Sequence, residues 1–279
     1  MNYIKNILIV AACLMLPQLA SGQSSGLKVM SYNIRISSAS DGTNSWMYRY
    51  PMTLEMLEDI NPDVFGLQEA LVDQVAFLDE FADAYDRVGV GADDGRRKGG
   101  YTAVYWNKKT VKMLKWGVFW LSETPEEPSM GWDAECFRTA TWAILKDKRT
   151  GARFCFVNTH LDHVGKQARQ KSVELILDRL STINPEGLPV VLTGDFNMKP
   201  DDKALAGLDA RMKSARKIAA QTDSHNTFND WGKASKDMVI DHIYISGFSA
   251  CPEYRTVVKK YGGRTFISDH YPILVRLIF

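Results

Sequence analysis

Apolar runs of strand length recur along this chain, and most of them deliver a carboxylate, an amide or an imidazole to one end. VMSYN closes on Asn33, VFGLQ leads into Glu69, FCFVNT into His160 and Asp162, and VVLTG into Asp195 and Asn197. Asp241 interrupts MVIDHIYI, and Asp269 with His270 opens the terminal strand pattern. Each residue alone is ordinary as a turn former or cap. Together they call for a fold whose strands end at a common rim, where a sheet protein can assemble a reactive site.

Helical periodicity separates these runs. TLEMLEDINPD places Leu54, Leu57 and Ile60 on one face, ALVDQVAFLDEFADAY is amphipathic, and GKQARQKSVELILDRL predicts a third, longer helix. Between the second and third lies a β-rich block: YTAVYWN, KWGVFWLS, TATWAIL and RFCFVNTHL. This interleaving predicts a layered α/β protein with two sheets face to face and helices outside. No repeat or Gly/Pro/Ser-rich linker divides the chain, so one large domain over residues 23–279 is expected.

The first 22 residues read differently. One cation at Lys5, an apolar core too short to span a bilayer, and small residues at Ala20 and Gly22 predict an export signal over residues 1–22. A lipoprotein reading through Cys13 fits less well, because the apolar run continues past that cysteine. The expected location is periplasmic or secreted, with no transmembrane segment. Cys136, Cys155 and Cys251 would remain, an odd number without metal-type spacing, so disulfides do not define the fold. Net charge is +1, and loss of Lys5 brings it to zero, which argues against a partner such as long nucleic acid.

SYNIR, LQEA, NTHLDH, TGDFN, IDHIYIS and SDHYPI, in that order, resemble the endonuclease/exonuclease/phosphatase superfamily over residues 26–279. The resemblance implies a four-layer α/β sandwich of two mixed sheets and a hydrolase acting on phosphoesters by in-line attack of a positioned water. Such chemistry must neutralise phosphoryl charge, hold the water and release the leaving oxygen. Oxygen ligands favour Mg²⁺ or Mn²⁺ over metals that seek thiolates.

The resemblance places the metal role on Glu69, with Asp269 as a second ligand and Asn33 either orienting Glu69 or touching the metal. Strand alternation would put Asp195 and Asn197 on one face, the first to hold water and the second to donate to a phosphoryl oxygen. Asp241 would orient His270, which in similar enzymes assists the nucleophile or binds phosphate as a cation. His160 matches a leaving-group acid whose supporting glutamate is absent, since Gly100 stands in its place; Asp162, expected on the same strand face, is the substitute partner and a candidate substrate contact. Arg138 aligns with a phosphate-contacting arginine. Trp46, Tyr48, Arg49, Trp132 and Trp231 either close the edge of the core or wall the site for a ring.

A monomer acting on a short nucleotide, a phospholipid headgroup or a phosphorylated sugar is expected. The IDHIYIS run lacks the W-C-D-R pattern of inositol polyphosphate phosphatases and disfavours that branch. The competing class is a non-catalytic module that binds a phosphorylated ligand. Within the enzymes, a phosphomonoesterase on a sugar or lipid headgroup is the alternative to a diesterase or nuclease.

Overall fold

The structure, a computed structural model, describes residues 26–279, so the expected export signal lies outside the described residues. Twelve strands form two six-stranded sheets. The first sheet contains β1 (Leu27–Asn33), β2 (Val64–Ala70), β3 (Tyr85–Val88) and β4 (Tyr101–Asn107). The second contains β5 (Val111–Trp120), β6 (Thr139–Asp147), β7 (Arg153–His160), β8 (Val190–Asp195), β9 (Lys213–Ser214) and β10 (Asp241–Ser246). The chain then returns to the first sheet with β11 (Ala250–Thr256) and β12 (Ile273–Ile278). Strand orders are β11-β12-β1-β2-β4-β3 and β5-β6-β7-β8-β10-β9.

The sheets share a plan. Each centres on one parallel pair, β1 with β2 and β7 with β8, flanked by antiparallel neighbours. A parallel pair needs a crossover connection, and helices α1 (Tyr50–Ile60) and α3 (Lys166–Ile183) lie in the two crossovers. The other long helix, α2 (Val72–Phe81), follows β2. Met56, Leu57 and Ile60 of α1 pack with Tyr32, Phe65 and Leu67 outside the first sheet, while Val173, Ile176 and Leu177 of α3 pack with Val157 and Leu192 outside the second. Val29, Val64, Phe156, Val191 and Ile243 fill the space between the sheets. The result is the expected four-layer sandwich, mixed sheets inside and helices outside.

A polar tie crosses this apolar interior. Asn158 of β7 is fully buried and donates through Nδ2 to the carbonyls of Leu67 and Ala103 in the opposite sheet, both at 2.9 Å. Its Oδ1 accepts from Gln68 Nε2 at 2.7 Å and from Thr193 Oγ1 at 3.1 Å. Leu67 and Ala103 form the last paired position before a bulge in β2, so this amide serves backbone at the interruption and locks the two sheets in register.

Three strand-end expectations need correction. β8 stops at Asp195, and Asn197 takes a left-handed φ of 51°. A turn, with Asn197 N–H donating to Asp195 Oδ1 at 2.9 Å, therefore joins this pair, and strand alternation does not. Asp241 opens β10, because its amide and that of Ile240 both donate to Thr227 Oγ1 at 3.0 Å. Asp269 and His270 precede β12 in a loop. No helix among the described residues is long and apolar enough to cross a membrane.

Replacing Asn158 with alanine strands two carbonyls and the Gln68 amide in the interior. The expected loss is about 2–4 kcal/mol of stability, read as a lower urea midpoint with unchanged m-value.

Candidate active site

Both parallel pairs run toward the same rim, where Asn33, Glu69, His160 and Asp195 meet at or near the carboxyl ends of β1, β2, β7 and β8. Asn33 Nδ2 donates to Glu69 Oε1 and to Asp195 Oδ2, each at 3.0 Å, and so bridges the two sheets. Its Oδ1 accepts the Arg35 amide at 3.0 Å, which fixes the side-chain orientation. The amide nitrogen thus faces the carboxylates and orients Glu69 toward Asp195. Glu69 sits in the β2 bulge with φ 67°, a conformation that turns its side chain into the cleft, and its Oε2 accepts from Ile36 N–H at 3.2 Å.

Register in the second sheet sets His160 beside Asp195 and Asp195 opposite Asp241. His270 reaches in from the loop before β12, its Nδ1–H donating to Asp241 Oδ2 at 2.8 Å and its Nε2 lying 3.6 Å from Asp195 Oδ2. Burial opposes charge on this imidazole, but the Asp241 and Asp195 carboxylates outweigh it and raise its pKa to about 10. Burial and the Asp241 charge push Asp195 up to about 7, partly countered by His270. Asp195 Oδ2 is therefore the meeting point of Asn33, His160 (Nε2 at 3.5 Å) and His270.

His160 has a different partner from the one expected. Arg138 Nη1 donates to its Nδ1 at 3.0 Å, leaving the ring proton of the neutral imidazole on Nε2, toward Asp195. Burial first, and then the Arg138 charge, hold its pKa well below the ordinary histidine value. Asn197 Nδ2 also lies 3.2 Å from His160 Nε2 and donates to the Leu161 carbonyl at 3.0 Å.

Asp162 lies beyond the end of β7 and does not touch His160. It is buried, accepting from the Glu135 and Cys136 amides on one oxygen and the Val164 and Gly165 amides on the other. It also lies 3.6 Å from Arg138 Nε. These bonds occupy it as a loop clamp behind Arg138, so it is not the partner of the His160 imidazole, and it is not among the residues that line the cleft. Arg138 does line the cleft, with its Nη2 3.2 Å from His163 Nδ1.

Asp269 and Glu69 line the same cleft of about 750 Å³. Burial, reinforced by the Glu69 charge, raises the Asp269 pKa, while His270 and Arg35 counter it. Glu69, Asp195 and Asp269 line the cleft with Asp241 behind His270, while the nearby cation Arg35 is mainly committed to Asp41 and Arg49 to buried carbonyls. Glu69, His160 and Asp195 form a compact donor group with ligand atoms within 4.8 Å of one another, and Asp269 lines the same cleft; Asp195, Asp241 and His270 cluster as closely, but the protonated imidazole there is no ligand. A hard divalent cation fits this excess of carboxylate oxygen.

Arg35, Ser268 and Phe228 were not assigned from sequence. Arg35 approaches Asp269 Oδ2 at 3.7 Å, and its presence in SYNIR was the available signal. Ser268 Oγ donates to the Asn33 carbonyl at 2.7 Å, and the Phe228 ring packs edge-on to His270 at 4.9 Å. Arg49 is fully buried and donates to the carbonyls of Ile34, Arg35, Ile36, Asn44 and Ile267 while lying between Trp46 and Trp231. Tyr48 is exposed on the outer surface, whereas Trp231 lines the cleft.

Comparison with known proteins agrees with this architecture. A structure from Bacteroides vulgatus described as an endonuclease/exonuclease/phosphatase is 36% identical, with TM-score 0.86, over 90% of this chain and 98% of that one. A mannosyl-6-phosphatase of Bacteroides thetaiotaomicron is 33% identical, with TM-score 0.87, over 91% and 100%. A protein of Acanthamoeba polyphaga mimivirus is 24% identical over 252 residues, 82% of this chain and 91% of that protein. The profile of the Endonuclease/Exonuclease/phosphatase family matches residues 30–270. The chain belongs to that family.

Proposed function

We propose that this protein is a metal-assisted hydrolase of small phosphoesters. The observation that carries this reading is the convergence on Asp195 Oδ2 of the Asn33 amide and two imidazoles with opposite protonation behaviour. A binding module needs anion-recognising cations, but it has no use for a buried carboxylate held at about 7 beside them.

Asp195 positions the attacking water and takes its proton through Oδ2. His270 stays protonated with Asp241 behind it and presents Nε2–H to a phosphoryl oxygen, the cation-binding alternative of its two roles. His160, neutral and backed by Arg138, donates from Nε2 but carries no spare proton for the leaving group. Asn197 lies beside His160 and donates to the Leu161 carbonyl, which fixes its amide at this side of the cleft. Glu69 and Asp269 would hold Mg²⁺ or Mn²⁺, with Asn33 orienting Glu69. The bound cation would offset negative charge on the phosphoryl oxygens.

A short nucleotide, a phospholipid headgroup and a phosphorylated sugar all fit this chemistry, and the mannosyl-6-phosphatase relative supports the last. The chain is read as one catalytic domain following an export signal, acting as a monomer.

Hydrolysis of p-nitrophenyl phosphate and its bis-ester, with Mg²⁺ and with EDTA, tests the reading and separates monoesterase from diesterase. Turnover is expected only with the metal, and Asp195→Asn should lower kcat by about 10²–10⁴-fold. Absence of metal-dependent turnover across a wider phosphoester panel would instead support the binding module.

The pH dependence has a definite sign. Activity rises as Asp195 ionises, at pH 7 or below once a cation neutralises its surroundings, and falls as His270 loses its proton near pH 10. Asp241→Asn removes the charge that holds the proton on His270 and should move the alkaline limb of kcat/KM to lower pH. An alkaline limb that stays in place contradicts the cationic role.

A further inference from the structure

Building on the hydrolase reading, we propose that Asp230 and Trp231 form the subsite for the alcohol part of the substrate. The class they select is a sugar phosphate. Both residues line the cleft, on a one-turn segment, Asp230–Gly232, that follows Asn229.

This segment is held in a costly conformation. Asp230 has φ 44° and Trp231 φ 55°, two consecutive non-glycine residues in the left-handed region. Surrounding bonds overdetermine it. Buried Asn229 donates through its amide to the Asp269 carbonyl at 2.7 Å and through Nδ2 to the Ser268 carbonyl at 3.1 Å, while its Oδ1 accepts from Trp231 N–H at 2.8 Å. Asp230 N–H donates to the same Asp269 carbonyl at 3.1 Å. Backbone strain is thus maintained beside the proposed cation site, and it sets a carboxylate and an indole at the cleft wall.

The Asp230 carboxylate has no side-chain hydrogen bond or ion pair among the described residues, and it belongs to neither compact donor group around Asp195. An anion in that position would repel a substrate phosphate, so it suits the other end of the molecule. Hydroxyl groups donate well to a free carboxylate, and an indole offers an apolar surface to the C–H side of a sugar ring. A quaternary ammonium headgroup would also favour an aromatic ring and a carboxylate. Here, however, the indole already covers the buried Arg49 guanidinium at 5.6 Å, and a second cation at Trp231 would be repelled by that charge.

The test compares kcat/KM for mannose 6-phosphate and choline phosphate with that for p-nitrophenyl phosphate, which has no sugar hydroxyls. In Asp230→Ala, the ratio of mannose 6-phosphate to p-nitrophenyl phosphate should fall about 10- to 100-fold, with Asp230→Asn intermediate. Trp231→Phe, which keeps a ring, should retain most of the ratio. An unchanged ratio in Asp230→Ala, a wild-type preference for choline phosphate lost in that variant, or a shifted Mg²⁺ requirement at constant sugar preference each overturns the proposal. If wild-type protein hydrolyses no phosphoester, the hydrolase reading itself fails. Titration calorimetry with mannose 6-phosphate then decides the subsite separately: binding weakened about tenfold by Asp230→Ala sustains it, and equal or absent binding ends it.

Discussion

One amide joins what electrostatics would separate. Asn33 donates to Glu69 from its own sheet and to Asp195 from the opposite one, so two carboxylates share a donor at the place where the sheets meet. Buried carboxylates resist ionisation and repel each other. The surrounding structure answers with partners placed one by one: the Ile36 amide on Glu69, the Asn197 amide on Asp195, and His270 between Asp195 and Asp241. The rim is consequently a set of balanced charges, in which the protonation of Asp195 and His270 depends on their neighbours.

This balance explains why two histidines in the same cleft behave oppositely. His270 has a carboxylate behind it and another in front, and it retains a proton far above neutrality. His160 has an arginine behind it and remains neutral. Gly100 stands where a supporting glutamate was sought for His160, and Arg138 is bonded to the ring instead. The family's architecture is retained while this partner differs in kind.

Much of the fold was legible because central strands are apolar on both faces and end abruptly. Asn33, His160 and Asp195 were readable for the same reason: each closes one member of a parallel pair. The edges were less visible. β3 is only four residues long, and β11 carries Pro252, Glu253 and Arg255, features that protect an edge strand and dilute its apolar pattern. Local backbone was hidden as well. Neither the bulge that turns Glu69 nor the left-handed turn at Asn197 follows from alternation, since both break it. Asp162 looked like a site residue because proximity in sequence to His160 says nothing about the four amides that occupy its oxygens. Arg49 could be named as an aromatic neighbour, but its five carbonyl partners come from segments that only the tertiary fold assembles.

The repeated parallel-pair plan also bears on how the molecule assembles. Asn33 and Glu69 belong to one crossover unit and His160 and Asp195 to the other, so neither half contains the acidic rim by itself. Their mutual repulsion arises only where the two crossover units meet, so the fold itself gathers the acidic charge at the seam between the sheets.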